Sequence, residues 1–163
     1  MNEVANELIN NIETEDDMKG KYLTFFTDEQ LFGIPISDVV QIVAIQEITP
    51  IPEFPDYAKG IINLRGSIIA VIDMGLRLHK PETEYNERTC IIVTNINDVY
   101  VGFIVAAVDE VTEITDDKIS PPPKVSNDKA NAYLTGVGKM PSGKVVLLMD
   151  TTKVLSEDVL ETI

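Results

Sequence analysis

Basic residues are scarce in this chain: 13 Lys and Arg stand against 27 Asp and Glu in 163 residues, a formal net charge of −14. Sequence-independent nucleic-acid binding needs Lys and Arg to neutralise phosphates, so nucleic acid is not an expected partner. Cysteine occurs once, at Cys90, which excludes an internal disulfide framework and fits a reducing cytoplasm. Histidine also occurs once, at His79. One Cys and one His do not supply the ligands of a zinc site, so no metal is expected. A Ser-His-Asp or Cys-His hydrolase would have to rest on His79 alone, and the sequence has no GxSxG elbow. No apolar run approaches the roughly 20 residues that span a bilayer. The acidic start, Met1-Asn2-Glu3-Val4-Ala5-Asn6-Glu7, has neither the basic flank nor the apolar region of an export signal. A cytoplasmic protein without membrane insertion is the expectation.

What the chain does have is Ile and Val, which are stiff at the first side-chain torsion and favour strands. Its length suits one domain with a real core. Residues 1–18 hold six acids and no Lys or Arg and read as a flexible tail, with Val4, Leu8 and Ile12 leaving a short amphipathic helix open. Residues 19–163 read as the domain. Leu23 and Phe25, alternating with Tyr22, Thr24 and Phe26, predict a strand, answered by Leu31 to Ile34 across the turn Asp28-Glu29-Gln30. Ser37-Asp38 predicts the N-cap of a short helical stretch carrying Val39, Val40, Ile42 and Val43. Ile48-Thr49-Pro50-Ile51-Pro52 predicts an edge strand or extended surface segment, because each proline removes a ladder donor.

From Gly60 to Asp73, two apolar runs flank Arg65-Gly66-Ser67, the pattern of a hairpin. Strands are expected at Thr89 to Asn95 and Val99 to Val105, and Val108 to Ile114 continues the sheet. Residues 115–132, with Pro121-Pro122-Pro123, read as a surface excursion. Tyr133 to Met140 and Lys144 to Met149 predict a last hairpin. Asp150-Thr151-Thr152 then caps a C-terminal helix bearing Val154, Leu155, Val159 and Leu160. Short, closely spaced strands mean an all-β barrel or sandwich.

Catalytic signals are weak. Gly138-Lys139-Met140-Pro141-Ser142-Gly143-Lys144-Val145 has the glycine and lysine spacing of a phosphate-binding loop. It places Val145 where that loop needs Ser or Thr, and a strand is expected where it needs a helix. Asp109-Glu110 and Asp116-Asp117 have no Ca²⁺-loop spacing around them and read as solvated surface. With no catalytic residue and no cofactor expected, the balance points to a binding module. A nucleotide-binding protein using the 138–145 loop is the remote alternative.

Gly60-Ile61-Ile62-Asn63-Leu64-Arg65-Gly66, followed by Ile68-Ile69-x-Val71-Ile72-Asp73, closely resembles the signature of the CheW family. Phe32-Gly33-Ile34, Val39-x-x-Ile42 and Ile48-Thr49-Pro50-Ile51-Pro52 precede it in order. Val101-Gly102, Val108-x-x-Val111 and Tyr133-Leu134-x-Gly136 follow it, so the resemblance covers residues 20–155. It implies a mainly β fold: two SH3-like five-stranded β-barrel subdomains around a shared apolar core, with a C-terminal helix. It also implies a non-enzymatic adaptor, monomeric alone, between the cytoplasmic tips of methyl-accepting chemoreceptors and the regulatory domain of the histidine kinase CheA. Such adaptors are recruited to receptor arrays at the inner face of the membrane.

Carried onto this chain, the resemblance makes Leu23, Ile36, Val39, Gln41 and Val108 a receptor-binding groove, with plain core as the other reading of Leu23 and Val108. It makes Ile48, Ile51 and Arg65 the kinase-facing set and Val125 a ring contact. Arg65 has two open readings, an exposed contact or an anchor bonded to backbone carbonyls or to a carboxylate such as Asp73. Gln41 stands where relatives commonly carry an acid, Ala70 where they carry proline, and Gly75 where they carry arginine. A regulatory module of a larger kinase or adaptor is the alternative of the same fold; Met1 and the capped C-terminal helix favour the stand-alone protein.

Overall fold

The computed structural model describes residues 6, 7, 9, 18–123 and 132–155. In chain order the strands are β1 (Lys21–Thr27), β2 (Gln30–Pro35), β3 (Val39–Ala44), β4 (Ala58–Leu64), β5 (Ser67–Asp73), β6 (Cys90–Ile96), β7 (Val99–Val105), β8 (Ala107–Glu113), β9 (Ile119–Ser120), β10 (Leu134–Lys139) and β11 (Val145–Met149). Two four-residue helices, α1 (Met74–Arg77) and α2 (Thr151–Val154), follow β5 and β11.

Local turn chemistry sets the pairing. In three hairpins the connection is two residues, both at positive φ: Asp28 and Glu29, Arg65 and Gly66, Asn97 and Asp98. Such turns match the right-handed twist of the strands they join. The strands form two sheets, ordered β8-β1-β2-β11-β10-β9 and β3-β6-β7-β5-β4. In the first sheet β2 runs parallel to β11, with Phe32 opposite Leu147, so early and late parts of the chain are interwoven. The chain crosses between sheets at Ala106, whose N–H donates to the Phe26 carbonyl at 2.9 Å.

Three apolar clusters follow from this layout. Ile62, Ile69, Val71, Ile91, Val93 and Ile104 fill the second sheet's own interior. Leu31, Ile114, Met140, Val146 and Leu148 do the same for the first. The largest cluster lies between the sheets and includes Leu23, Phe25, Phe32, Ile72, Phe103 and Val154. β1 therefore buries both faces, Leu23 and Phe25 towards the shared core and Tyr22 and Phe26 towards the first sheet's own. A mainly β, two-part fold around a common core is what the sequence led us to expect.

Two details differ. The helical stretch expected after Ser37-Asp38 is a single 3-10 turn, Ile36–Asp38, followed by β3. The three-residue spacing of Val39 and Ile42 imitates a helix because the register against β6 shifts between Val39 and Gln41, and a bulge turns one extra residue out of phase. The Asp38 carboxylate caps nothing; it accepts a 2.8 Å hydrogen bond from the Thr151 hydroxyl. The surface excursion from 115 begins with ordered structure, since β9 pairs with β10 through Val137 and Ser120. At the C-terminal helix, Asp150 caps as expected, accepting from the Thr152 N–H at 2.9 Å, while Val159 and Leu160 lie outside the described residues.

Candidate partner-binding site

The proline-rich segment after β3 reaches back to the far edge of its sheet. Thr49 and Ile61 exchange two 2.9 Å backbone hydrogen bonds, an isolated antiparallel bridge on the outer side of β4. The edge reading of Ile48 to Pro52 is thus correct. Ile48 and Ile51 are half-buried. Ile48 packs against the second sheet's cluster and lines a shallow cleft with Lys59, Glu82 and Tyr85. There the Lys59 ammonium contacts Glu82 at 2.7 Å, and this hydrogen bond holds the Glu82 carboxyl below the usual carboxylate range.

Arg65 projects from the β4–β5 turn at the other end of β4, exposed and at φ 52°. It makes no hydrogen bond or ion pair with any described residue. The turn is held without it: Asn63 Oδ1 accepts from the Gly66 N–H at 2.9 Å. The carboxylate considered as its anchor, Asp73, is otherwise engaged. Asp73 accepts from the Leu76 N–H at 3.0 Å, capping α1, and from the Tyr85 hydroxyl at 2.7 Å. Next to the turn, Ile68 is 63% exposed, so the hairpin tip offers a guanidinium beside an apolar side chain.

Leu23, Ile36, Val39 and Val108, the residues assigned to the receptor groove, are buried, at 0%, 2%, 8% and 3% exposure, which for Leu23 and Val108 matches the plain-core reading. All four belong to the cluster between the sheets. Alternation along a strand marks an apolar face and does not distinguish a groove from a core. Gln41, on β3, is half-buried, and Val40 beside it is exposed. Val125 lies outside the described residues.

The chain's one thiol and one imidazole sit in different settings. Cys90 is buried, and burial pushes its thiol up to about 11, far from a nucleophile's range. His79 is exposed just after α1 at φ 64°. The 138–145 loop leads from β10 into β11, so no helix N-terminus follows it to hold phosphate. Among the described residues, no group of three or more His, Cys, Asp or Glu could hold a metal, and no helix is long and apolar enough to cross a membrane.

Two organising residues escaped the sequence reading. Arg77 is buried between the Tyr57 and Tyr133 rings, 5.1 and 4.8 Å from their centroids. Its Nε donates to the Val154 carbonyl at 2.9 Å and its Nη1 to the Tyr133 hydroxyl at 2.7 Å. Asn6, inside the expected tail, bonds β3 through its side-chain amide. A lone arginine between leucines and one of the four asparagines in the acidic stretch 1–18 carry no pattern that announces either role.

Residues 21–159 match the CheW-like domain. The chain belongs to the CheW family. It is 33% identical over 138 residues to the chemotaxis protein CheW of Klebsiella aerogenes, covering 85% of this chain and 82% of that one. The solved structure of the scaffolding protein TtCheW from Thermoanaerobacter tengcongensis superposes with a TM-score of 0.77 at 35% identity, covering 86% of this chain and 94% of that one. The chain also matches part of a longer relative, chemotaxis protein CheV3 of Helicobacter pylori, at 27% identity over 77% of this chain and 43% of that one. The Asn63-Leu64-Arg65-Gly66 turn puts Arg65 at one end of β4, and the Thr49–Ile61 bridge lays the segment bearing Ile48 and Ile51 along the outer edge of the same strand.

Proposed function

We propose that this chain is a non-enzymatic chemotaxis adaptor that couples chemoreceptor tips to the regulatory domain of the histidine kinase CheA, in the cytoplasm and at receptor arrays. The observation that carries the reading is Arg65, exposed on a hairpin that holds itself together without it. A weakly hydrated, planar guanidinium left exposed at a non-glycine positive φ serves contact better than stability. With Ile48 and Ile51 near the bridge to β4, Arg65 forms the kinase-facing side. The receptor side is the mouth of the seam between the sheets, where Gln41 and Val40 are accessible and Leu23, Ile36, Val39 and Val108 form the support beneath. Val125 remains our candidate for a ring contact.

The test is a binding assay of the full chain against a receptor-tip fragment and, separately, the CheA regulatory domain. Binding to both at tens of micromolar or tighter is expected; binding to neither overturns the reading. Ile48→Asp is expected to weaken the kinase contact about tenfold or more and leave the receptor contact unchanged. A second reading, a module acting within a longer adaptor, draws on the match to CheV3.

A further inference from the structure

Asn6 makes a pair of hydrogen bonds that normally belongs to a neighbouring strand. Its Nδ2 donates to the Ile42 carbonyl and its Oδ1 accepts from the Ile42 N–H, both at 2.9 Å. β3 is an edge strand, and Ile42 presents this N–H and carbonyl on the side away from β6. A carboxamide is the side chain able to satisfy both groups at once, because it carries a donor and an acceptor in the arrangement of a peptide unit. Ile9 adds a second anchor. It packs against the cluster between the sheets, the one containing Leu23, Ile36, Val39 and Val108. Asn6, Glu7 and Ile9 are helical, and a three-residue spacing puts Asn6 and Ile9 on one helix face with Glu7 off it. Glu7 is exposed.

The polar anchor therefore sits one residue from Gln41, and the apolar anchor rests on the core beneath the receptor seam. We propose that the N-terminal segment is a built-in competitor for that seam: Asn6 and Ile9 occupy the β3 edge and the adjoining apolar surface, and a receptor helix must displace them to dock. The surface fits a helix presenting a carboxamide one turn from an aliphatic side chain, the chemistry the chain itself supplies. This rests on the adaptor reading and goes beyond it, by making receptor affinity depend on a segment outside the receptor contact. Where the competent state is only a fraction of the population, apparent affinity falls by that fraction.

The experiment compares the full chain with its Asn6→Ala variant. Loss of a paired amide contact is expected to open the seam and tighten binding of a receptor-tip fragment roughly fivefold to tenfold. Affinity for the CheA regulatory domain, bound through Ile48, Ile51 and Arg65, is expected to stay unchanged. Amide exchange at Ile42 reports the clamp independently and is expected to accelerate in the variant. Equal receptor affinity of the two chains with faster Ile42 exchange overturns the competitor role alone. Unaltered Ile42 exchange overturns it as well, because the edge is then not covered by Asn6. Receptor binding by neither chain removes the adaptor reading and this proposal together.

Discussion

At Gly60 a Cβ would lie 2.1 Å from the Thr49 carbonyl oxygen, on a backbone at φ 144°, which side chains rarely adopt. The glycine is there because a second backbone must approach closely enough to bridge. Gly60→Ala is expected to cost about 3 kcal/mol or more and to release the segment bearing Ile48, measured by urea unfolding and by faster amide exchange at Thr49 and Ile61. The sequence marked Gly60 as part of a motif, but its reason was hidden, because Thr49 meets it only once the bridge has formed. Cys90 gives a test of sign. Burial raises its folded pKa from 9.0 to about 11, so the folded chain keeps the thiol proton to higher pH than the unfolded chain. The associated stability is full below the ordinary thiol pKa and is lost as pH rises through the folded value. The loss above both is on the order of 3 kcal/mol. The stability difference between wild type and Cys90→Ala is expected to shrink by that amount from neutral pH to above the folded pKa; a pH-independent difference would refute the assignment.

Among the elements, the β4–β5 hairpin shows a residue chosen against its own turn. Both central positions have positive φ, where Asn-Gly is favoured and arginine is not. Arg65→Asn is therefore expected to stabilise the fold by about 0.5–1 kcal/mol while impairing receptor-dependent kinase activation. Arg65→Glu is expected to impair activation with stability little changed. Normal activation by both variants would leave the exposed guanidinium without a role. Thermal melting and a reconstituted phosphorylation assay read the two effects separately. Hairpins were legible because turn residues and apolar runs are local signals. β3 was not: its bulge sets Val39 and Ile42 three residues apart on one face, which imitates helical periodicity. The same limit explains the receptor groove, since Leu23 and Val108, on neighbouring strands of the first sheet, read as an apolar face whether they meet a partner or the second sheet.

Across the whole molecule, the shared core and Arg77 bind the two sheets into one unit. Phe25 and Phe32 of the first sheet share a cluster with Ile72 and Phe103 of the second. Arg77, after β5, reaches the Val154 carbonyl and the Tyr133 hydroxyl near β10 and β11. A single cooperative transition is expected, with circular dichroism and tyrosine fluorescence coinciding. Arg77→Lys, which keeps the charge but loses the fork and much of the ring stacking, is expected to lower stability by about 2–4 kcal/mol without separating the two signals. Two resolved transitions would mean that the sheets unfold independently. The sequence supported "barrel or sandwich" and, through its family signature, two parts around one core. It did not reveal that early strands complete a sheet with late ones, because no local pattern encodes a pairing across most of the chain. That pairing has a consequence during synthesis. β2 has Phe32 opposite Leu147 of β11, so one side of β2 has no native partner until the last strand leaves the ribosome. The second sheet, β3 to β7, can complete its ladder well before then. The nascent chain should therefore fold from the middle outward, and the interval before β11 emerges is when a chaperone has most to protect.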